Sequence, residues 1–467
     1  MTRARMGQGA GVRLGSGWVL LAVCLGQFMI QLDLTAVNVA LPDVARSLGS
    51  STSQLQWVVD AYNLTVASLL LTGGRTGDRI GHKRVYLAGL VVFGVSSALC
   101  AAAPDANMLI AFRVLQGVGA AVELPATLAI LTHTFSDPAE RAQAVGIWTG
   151  AAGSSLVVGP VLGGALVAAL GWRAVFVINV PITVGVVALT MLSIRETVEV
   201  GIQGVDLVGQ VLGAATLGLL AAGSIEGGRS GFAGSVPIGL LIAGVVAGVL
   251  FVMVEARSRD AMLPMRYFRS RLYATANANG LVMGFVTIGL LFLFSLFFQQ
   301  AQGLSAIAAG VRFIPWTMTF VLIGPVVGRH IDRIGHRLPM TAGCALLAAG
   351  ALLLVGVHAE SSYARVWGPF VLLGAGYGLL STPMAAAVLG AVPASRAGMA
   401  SSTNLTARLV GGVFGVAVLG SLLPPERGFS PISGGLHDAL YVCAAIALLG
   451  AANSWAFIPA EHLQHGQ

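Results

Sequence analysis

The chain has 467 residues, of which 56% are hydrophobic and 10% charged, with a formal net charge of +7. A soluble domain carries roughly 25% charged residues, so a soluble enzyme or globular binding module is excluded. The basic residues lie in short segments between apolar runs, which is no nucleic-acid signal, and Cys24, Cys100, Cys344 and Cys443 sit inside apolar runs without CxxC spacing, which implies no disulfide framework.

In chain order, a basic segment from Met1 to Arg13 precedes the first apolar run. That run is too long for a signal sequence and has no small-residue cleavage site after a short apolar core, so it is read as a retained first helix. Fourteen spans follow, at 17–41, 52–74, 84–103, 107–131, 142–169, 174–194, 205–224, 234–255, 274–299, 305–327, 339–357, 366–389, 398–423 and 438–458. Each is near the roughly 20 residues a membrane helix needs. Backbone groups in hydrocarbon must be paired within the segment, so helices are the expected form. An even number of spans places both termini on one side. Eighteen of the 26 lysines and arginines fall on the face of the termini, five on the other, and Arg113, Arg312 and Arg408 inside spans. The positive-inside rule then predicts cytoplasmic termini.

Asp78-Arg79-Ile80-Gly81-His82-Lys83, after the second span, returns 254 residues later as Asp332-Arg333-Ile334-Gly335-His336-Arg337, after the tenth. Arg141-Ala142 and Arg396-Ala397 repeat at 255 residues, and Phe112 and Pro125 match Phe370 and Pro383 at 258. A charged loop repeated half a chain apart marks duplication, a common plan of secondary transporters. The interval exceeds six helices by about 60 residues, room for two more membrane helices. The expectation is an all-α polytopic membrane protein: a six-helix bundle at 1–200, a two-helix insertion at 201–258 and a second six-helix bundle at 259–467.

Five motifs in order resemble the major facilitator superfamily, and within it the fourteen-helix branch of drug:proton antiporters. Leu32-Asp33-Leu34-Thr35-Ala36-Val37-Asn38-Val39-Ala40-Leu41-Pro42 is similar to that branch's first-helix signature. Gly74-Arg75-Thr76-Gly77-Asp78-Arg79-Ile80-Gly81-His82-Lys83-Arg84 resembles the superfamily's loop motif, and Arg113-Val114-Leu115-Gln116-Gly117 its fourth-helix arginine motif. Gly159-Pro160-Val161-Leu162-Gly163-Gly164 resembles the antiporter motif, and Trp172-Arg173 with Phe176, Asn179 and Pro181 the entry to helix 6. Thr76 and Ser155 depart from the motifs without removing a charge. The resemblance implies two cytoplasmic gates, at Gly74, Asp78, Arg79, Gly81 and Arg84 and at Asp332, Arg333 and Gly335. It also implies that Gly159, Pro160, Gly163 and Gly164 pack closely across the halves. By charge, Asp78 is expected to cap a neighbouring helix or to pair with Arg84 or Arg141.

A charge inside a bilayer is costly and marks function by default. The acids well inside spans are Asp33, Asp60 and Glu123. Their depths let Arg113 meet Asp33 or Asp60, whereas Glu123, ten residues along helix 4, lies about 15 Å away. Asp33 and Arg113 are the expected proton-coupling pair; a static ion pair orienting helices 1 and 4 is the bland alternative. Glu123, in the inner half of helix 4 near a central cavity, is expected to attract a cationic substrate or to hold a second proton. Asp60 is a substrate contact or an outer gate. Gln27, Gln31 and Asn38 form a stripe nearly opposite Asp33 and are expected to face the substrate path. In the second half, Gln299, Gln300, Trp316, Tyr377, Asn404 and Arg408 are the groups available to shape a substrate pocket.

No nucleophile, metal cluster or cofactor motif lies in the bundle, so an enzyme is not expected, and the proton gradient stands in for a cofactor. The expected function is proton-coupled efflux of a lipophilic drug or antibiotic by alternating access, with a symporter or uniporter of a metabolite as the alternative. The partners expected are a small-molecule substrate, protons and the lipid bilayer, with no nucleic acid, and the chain is read as a monomer. Lys83 is the single lysine against 25 arginines, which suggests a GC-rich bacterial genome and a bacterial cytoplasmic membrane.

Overall fold

The computed structural model describes residues 15–135, 137–196, 206–258, 263, 265–393, 397–423 and 433–459. Fourteen helices of membrane length follow in order. The first six are α1 (Ser16–Leu48), α2 (Thr52–Ile80), α3 (His82–Ala102), α4 (Ala106–Thr134), α5 (Pro138–Leu170) and α6 (Arg173–Val177, continuing as Asn179–Ser193). Then come α7 (Leu207–Ser230) and α8 (Ser235–Arg257). The last six are α9 (Arg271–Leu296, ending in a π-helical turn, Phe297–Ala301), α10 (Ala306–Arg312, continuing as Ile314–Ile334), α11 (Arg337–Leu354), α12 (Ala364–Gly390), α13 (Ala397–Ser421) and α14 (Ser433–Phe457). Side chains signal several starts: Ser51 and Gln54 form a capping box at α2, and Asp105 accepts from Asn107 and Met108 at α4.

Thirteen of these helices are apolar enough by composition to cross a membrane; α2 is the exception. Its low hydropathy comes from Gln56, Asp60 and Asn63, which are at most 2% exposed. A helix surrounded by protein keeps its polar side chains away from lipid, so a low average does not remove it from the bundle.

The repeated hexapeptides are not the loops their composition suggests. α2 runs to Ile80 and α10 to Ile334, so each Asp-Arg-Ile belongs to a last helical turn. The break is made by Gly81 (φ 106) and Gly335 (φ 66), conformations that cost a glycine little. Likewise α1 continues through Pro42, beyond the expected end at 41.

Duplication is visible in the packing. α3 crosses α4 where Gly89 faces the backbone of Gly119, and α11 crosses α12 where Gly343 faces that of Gly376. A Cβ on Gly89 would lie 2.9 Å from the Gly119 carbonyl oxygen, and one on Gly343 2.8 Å from that of Gly376. Small residues thus set the same crossing in both halves. The halves meet along α2–α13 and α5–α10, while α7 and α8 pack on each other with α7 against α2 and α13.

Four hydrogen bonds join the halves among the described residues, all toward the face opposite the helix ends that carry the termini. Gln56 Nε2 donates to the Val416 and Ala417 carbonyls at 3.0 Å each. Ser295 Oγ donates to the Asn38 carbonyl at 2.5 Å and Gln299 Nε2 to the Val39 carbonyl at 2.8 Å. These bonds hold the far face together in this conformation.

The antiporter-motif glycines divide between two neighbours. Gly164 packs on the backbone of Ala306 and Ile307 and Pro160 on Gly310, both across the halves. Gly159 instead meets Thr35 and Gly163 meets Ala36, within the first half. The expectation that all four serve the contact across the halves is corrected for these two. A leucine at Gly163, where a Cβ would lie 2.9 Å from Ala36 Cα, is expected to cost about 1–3 kcal/mol by overpacking. A leucine at Gly185, which has nothing within 4 Å, is expected to change little; thermal unfolding of the two purified variants checks the contrast.

Candidate functional site

Asp33 lies midway along α1 and Arg113 two turns into α4; both side chains are buried, and Arg113 Nη1 donates to Asp33 Oδ2 at 2.5 Å. The same Nη1 donates to Gln116 Oε1 at 2.7 Å, and Nε to the Val58 carbonyl of α2 at 3.0 Å. Asp33 Oδ1 accepts from Gln116 Nε2 and from Asn179 Nδ2 of α6, each at 3.0 Å. Ser97 Oγ of α3 closes the network, accepting from Gln116 at 2.8 Å and from Asn179 at 3.4 Å. The Arg113 guanidinium carbon stands 4.2 Å from the Tyr62 ring centroid and 5.8 Å from that of Phe176.

Five helices thus converge on one ion pair. A buried pair is retained only where further hydrogen bonds satisfy its remaining groups, and Gln116, Asn179 and Val58 supply them, with Ser97 anchoring the two amides. Of the two acids within reach of Arg113, the structure selects Asp33. Gln116 and Asn179 stand in motifs noted above, although their types alone assign them no task. Ser97 shows in the sequence only as a hydroxyl in an apolar run.

The other expected residues lie elsewhere. Asp60 is fully buried, and neither carboxylate oxygen has a hydrogen-bond partner in the protein. Glu123 is likewise enclosed, with both oxygens unpaired, against Gly26 of α1 and Gly89 of α3. It therefore lines no open path in this conformation, and a substrate-facing position for it is corrected. The stripe on α1 presents only Gln31 in part: Gln31 is half-buried, Gln27 is buried, and Asn38 is buried with its amide donating to the Leu34 carbonyl at 2.8 Å.

In the second half, Gln299 belongs to the contact across the halves and Gln300 is exposed. Trp316 is buried in an aromatic cluster with Phe294, Phe298, Phe313 and Phe370. Tyr377 meets Phe320 edge-on at 4.4 Å and stays half-buried. Asn404 donates to the Ala276 carbonyl at 3.4 Å, and half-buried Arg408 has its Nε unpaired. These groups form no single cluster with Asp33 and Arg113.

At the hexapeptides, Gly74, Asp78 and Asp332 lie outside the residues whose side chains are described, so the capping or pairing expected of Asp78 falls there too. Arg79 and Arg333 are exposed at their helix ends. Arg84 pairs with Glu196, past the end of α6, at 3.5 Å, and the Lys83 backbone N–H donates to the same carboxylate at 3.2 Å. Lys83 Nζ also donates to the Ile194 carbonyl at 2.7 Å. In the second half Arg337 stacks on Trp455 of α14 at 4.1 Å. Each hexapeptide is thus tied to the last helix of its own half, by charge in one and by an aromatic face in the other.

The comparisons agree with this architecture. The family model for the Major Facilitator Superfamily matches residues 23–206 and 200–416. The chain is 37% identical over 404 residues, 86% of its length and 75% of the relative's, to the multidrug resistance protein Stp of Mycobacterium tuberculosis. It is 33% identical over 449 residues, 95% of its length and 92% of the relative's, to the methylenomycin A resistance protein of Streptomyces coelicolor. Among solved structures, a bacterial homologue of the human lysosomal transporter Spinster, in an inward-facing conformation, superimposes with a TM-score of 0.68 at 18% identity, covering 94% of this chain and 96% of the other.

Replacing Gln116 by leucine removes a donor from Asp33 and an acceptor from Arg113. The expected loss is about 1–3 kcal/mol of stability for buried charged groups left short of partners. Because Gln116 and Asn179 serve the same oxygen, a double-mutant cycle with Asn179→Leu is expected to be non-additive by at least about 0.5 kcal/mol; thermal denaturation of the four proteins checks it. With a membrane-spanning helical fold, these motifs and these relatives, the chain is a transporter rather than an enzyme and belongs to the Major Facilitator Superfamily.

Proposed function

We propose that this chain exports lipophilic small molecules of the drug or antibiotic class across a bacterial cytoplasmic membrane, in exchange for protons, by alternating access. The observation that carries the reading is the buried Asp33–Arg113 pair with its ring of neutral donors. It is supported by the names of the relatives, which are resistance proteins. The excess of arginine on the face of the helix ends argues that both termini are cytoplasmic.

Asp33 meets three donors, Arg113, Gln116 and Asn179, which suits a carboxylate rather than a carboxyl. Protonation would remove the charge that Arg113 pairs with and turn one acceptor oxygen into a donor facing donors. The network would then rearrange, shifting α1 and α6 against α4. A proton taken up when the far face opens and released when it closes couples export to the proton gradient. The chain is read as acting alone, with no cofactor beyond the gradient.

Asp33→Asn is expected to abolish uphill transport while the protein still reaches the membrane. In inside-out vesicles with an acidic lumen, adding a transported drug should release protons from the wild type and none from the variant. Resistance profiles over a diverse compound panel in an efflux-deficient host identify that drug. Full uphill transport by the asparagine variant would overturn the assignment, and drug-driven proton uptake in place of release would make the chain a symporter.

A further inference from the structure

We propose that Glu123 is a second proton site, held as the neutral carboxyl in the conformation described here and deprotonated once per transport cycle. The proposal rests on the proton-coupled export argued above and extends it. Glu123 is fully buried, and neither oxygen has a partner in the protein. A carboxylate stripped of water without partners costs several kcal/mol, whereas a neutral carboxyl costs far less.

The neighbour of Glu123 points the same way. The Tyr86 hydroxyl of α3 and Glu123 Oε1 both border the notch above Gly26, where any side chain would collide with them. Tyr86 donates its one proton to the Ala22 carbonyl at 2.9 Å, an oxygen that can only accept. Tyr86 therefore has no proton left to donate to Glu123. No lysine, arginine or histidine pairs with Glu123 among the described residues. The titratable groups facing it are Tyr86 and, from α2, Tyr62, whose buried hydroxyl is unpaired; Tyr86 in turn faces Cys24 of α1. Asp33 and Glu123 thus both lie against α1 and α4 but have opposite surroundings, three hydrogen-bond donors at one and no hydrogen-bond partner at the other.

The two sites lie on one seam. Gly26 and Asp33 are seven residues apart on α1, hence on one face and about 10.5 Å apart along the axis. Opening the α1–α3–α4 contact at Gly26 and Gly89 would admit water to Glu123 and let its proton leave as hydronium, the carboxylate remaining behind. For antiport that release is toward the cytoplasm, and the proton is regained from the far side once the far face opens, before the seam closes again. Two protons would then move per substrate.

Infrared difference spectra of the purified protein at neutral pH, wild type against Glu123→Gln, test the protonation. The carbonyl stretch of a protonated carboxyl is expected to disappear in the variant, and a carboxylate band lost instead would overturn the proposal. Glu123→Met, a similar volume for an apolar site, serves the same comparison should the glutamine variant not fold. Ethidium accumulation in inside-out vesicles at clamped zero potential tests the stoichiometry. Each coupled proton multiplies the limiting gradient by about tenfold per pH unit, so wild type is expected to reach about one hundredfold and Glu123→Gln about tenfold. An unchanged limit would make Glu123 a permanently neutral packing group and overturn the proposal, as would loss of ethidium binding together with a carboxylate band. Failure of the Asp33 assignment shows separately, as full uphill transport by Asp33→Asn with the carboxyl band of Glu123 intact.

Discussion

The rest of the bundle is arranged around a charge pair that hydrocarbon would not tolerate alone. Asp33 and Arg113 are about as deeply buried as any side chain in the protein, and a pair of that kind survives only with its geometry fixed and its spare hydrogen-bonding groups filled. α2 contributes a carbonyl, α3 a hydroxyl, α4 an amide and α6 a second amide. Each contribution requires its helix at a set depth and rotation. The pair therefore fixes the relative placement of five of the first six helices, and any change in its charge acts on all five.

Much of this was legible in the sequence, for a physical reason. Depth along a helix follows from the constant rise of 1.5 Å per residue, so Asp33, Arg113 and their meeting could be foreseen, as could the distance to Glu123. Rotation about the helix axis relative to neighbours does not follow from one chain segment. That is why Glu123 was expected near an open cavity and instead stands against Gly26 and Gly89. Neutral partners leave even less trace: Ser97 costs little in an apolar run, so nothing marks it until Gln116 and Asn179 are seen to converge on it. Glu196 is a similar case, since its sequence neighbours say nothing of Lys83 and Arg84. The hexapeptides were read as loops because charge and glycine suggest loops, yet a single glycine in the left-handed half of backbone space ends each helix without one.

The two halves keep the same skeleton and fill it differently. Gly89–Gly119 and Gly343–Gly376 build one crossing twice. Around the fourth helix of the first half lie Arg113, Gln116 and Glu123; around its counterpart α12 lies Phe370, stacked with Phe313 and edge-on to Phe294 and Trp316. An aromatic cluster packs by area and shape and holds no charge to be altered. The first half places charged and acidic groups along this helix, while the second fills the same place with an apolar cluster.

The closure between the halves is suited to being reversed. Its hydrogen bonds are donated by the side chains of Gln56, Ser295 and Gln299 to backbone carbonyls. The Val39, Val416 and Ala417 carbonyls stay paired within their helices when the side chains leave; the Asn38 carbonyl, four residues before Pro42, which has no N–H, is the one backbone group that loses its partner. Each such bond contributes about 0.5–1.5 kcal/mol net, and four of them amount to a few kcal/mol. One pH unit acting on one titrating group is worth about 1.36 kcal/mol. A gradient of one to two units across one or two carboxyl groups is therefore commensurate with the far-face closure. A seal built from buried ion pairs across the halves would cost several kcal/mol to break at each pair, so two or more such pairs would exceed what that gradient supplies. The acids inside the spans, Asp33, Asp60 and Glu123, all lie in the first half, and the far-face contact between the halves is made by amides and a hydroxyl that donate to backbone carbonyls.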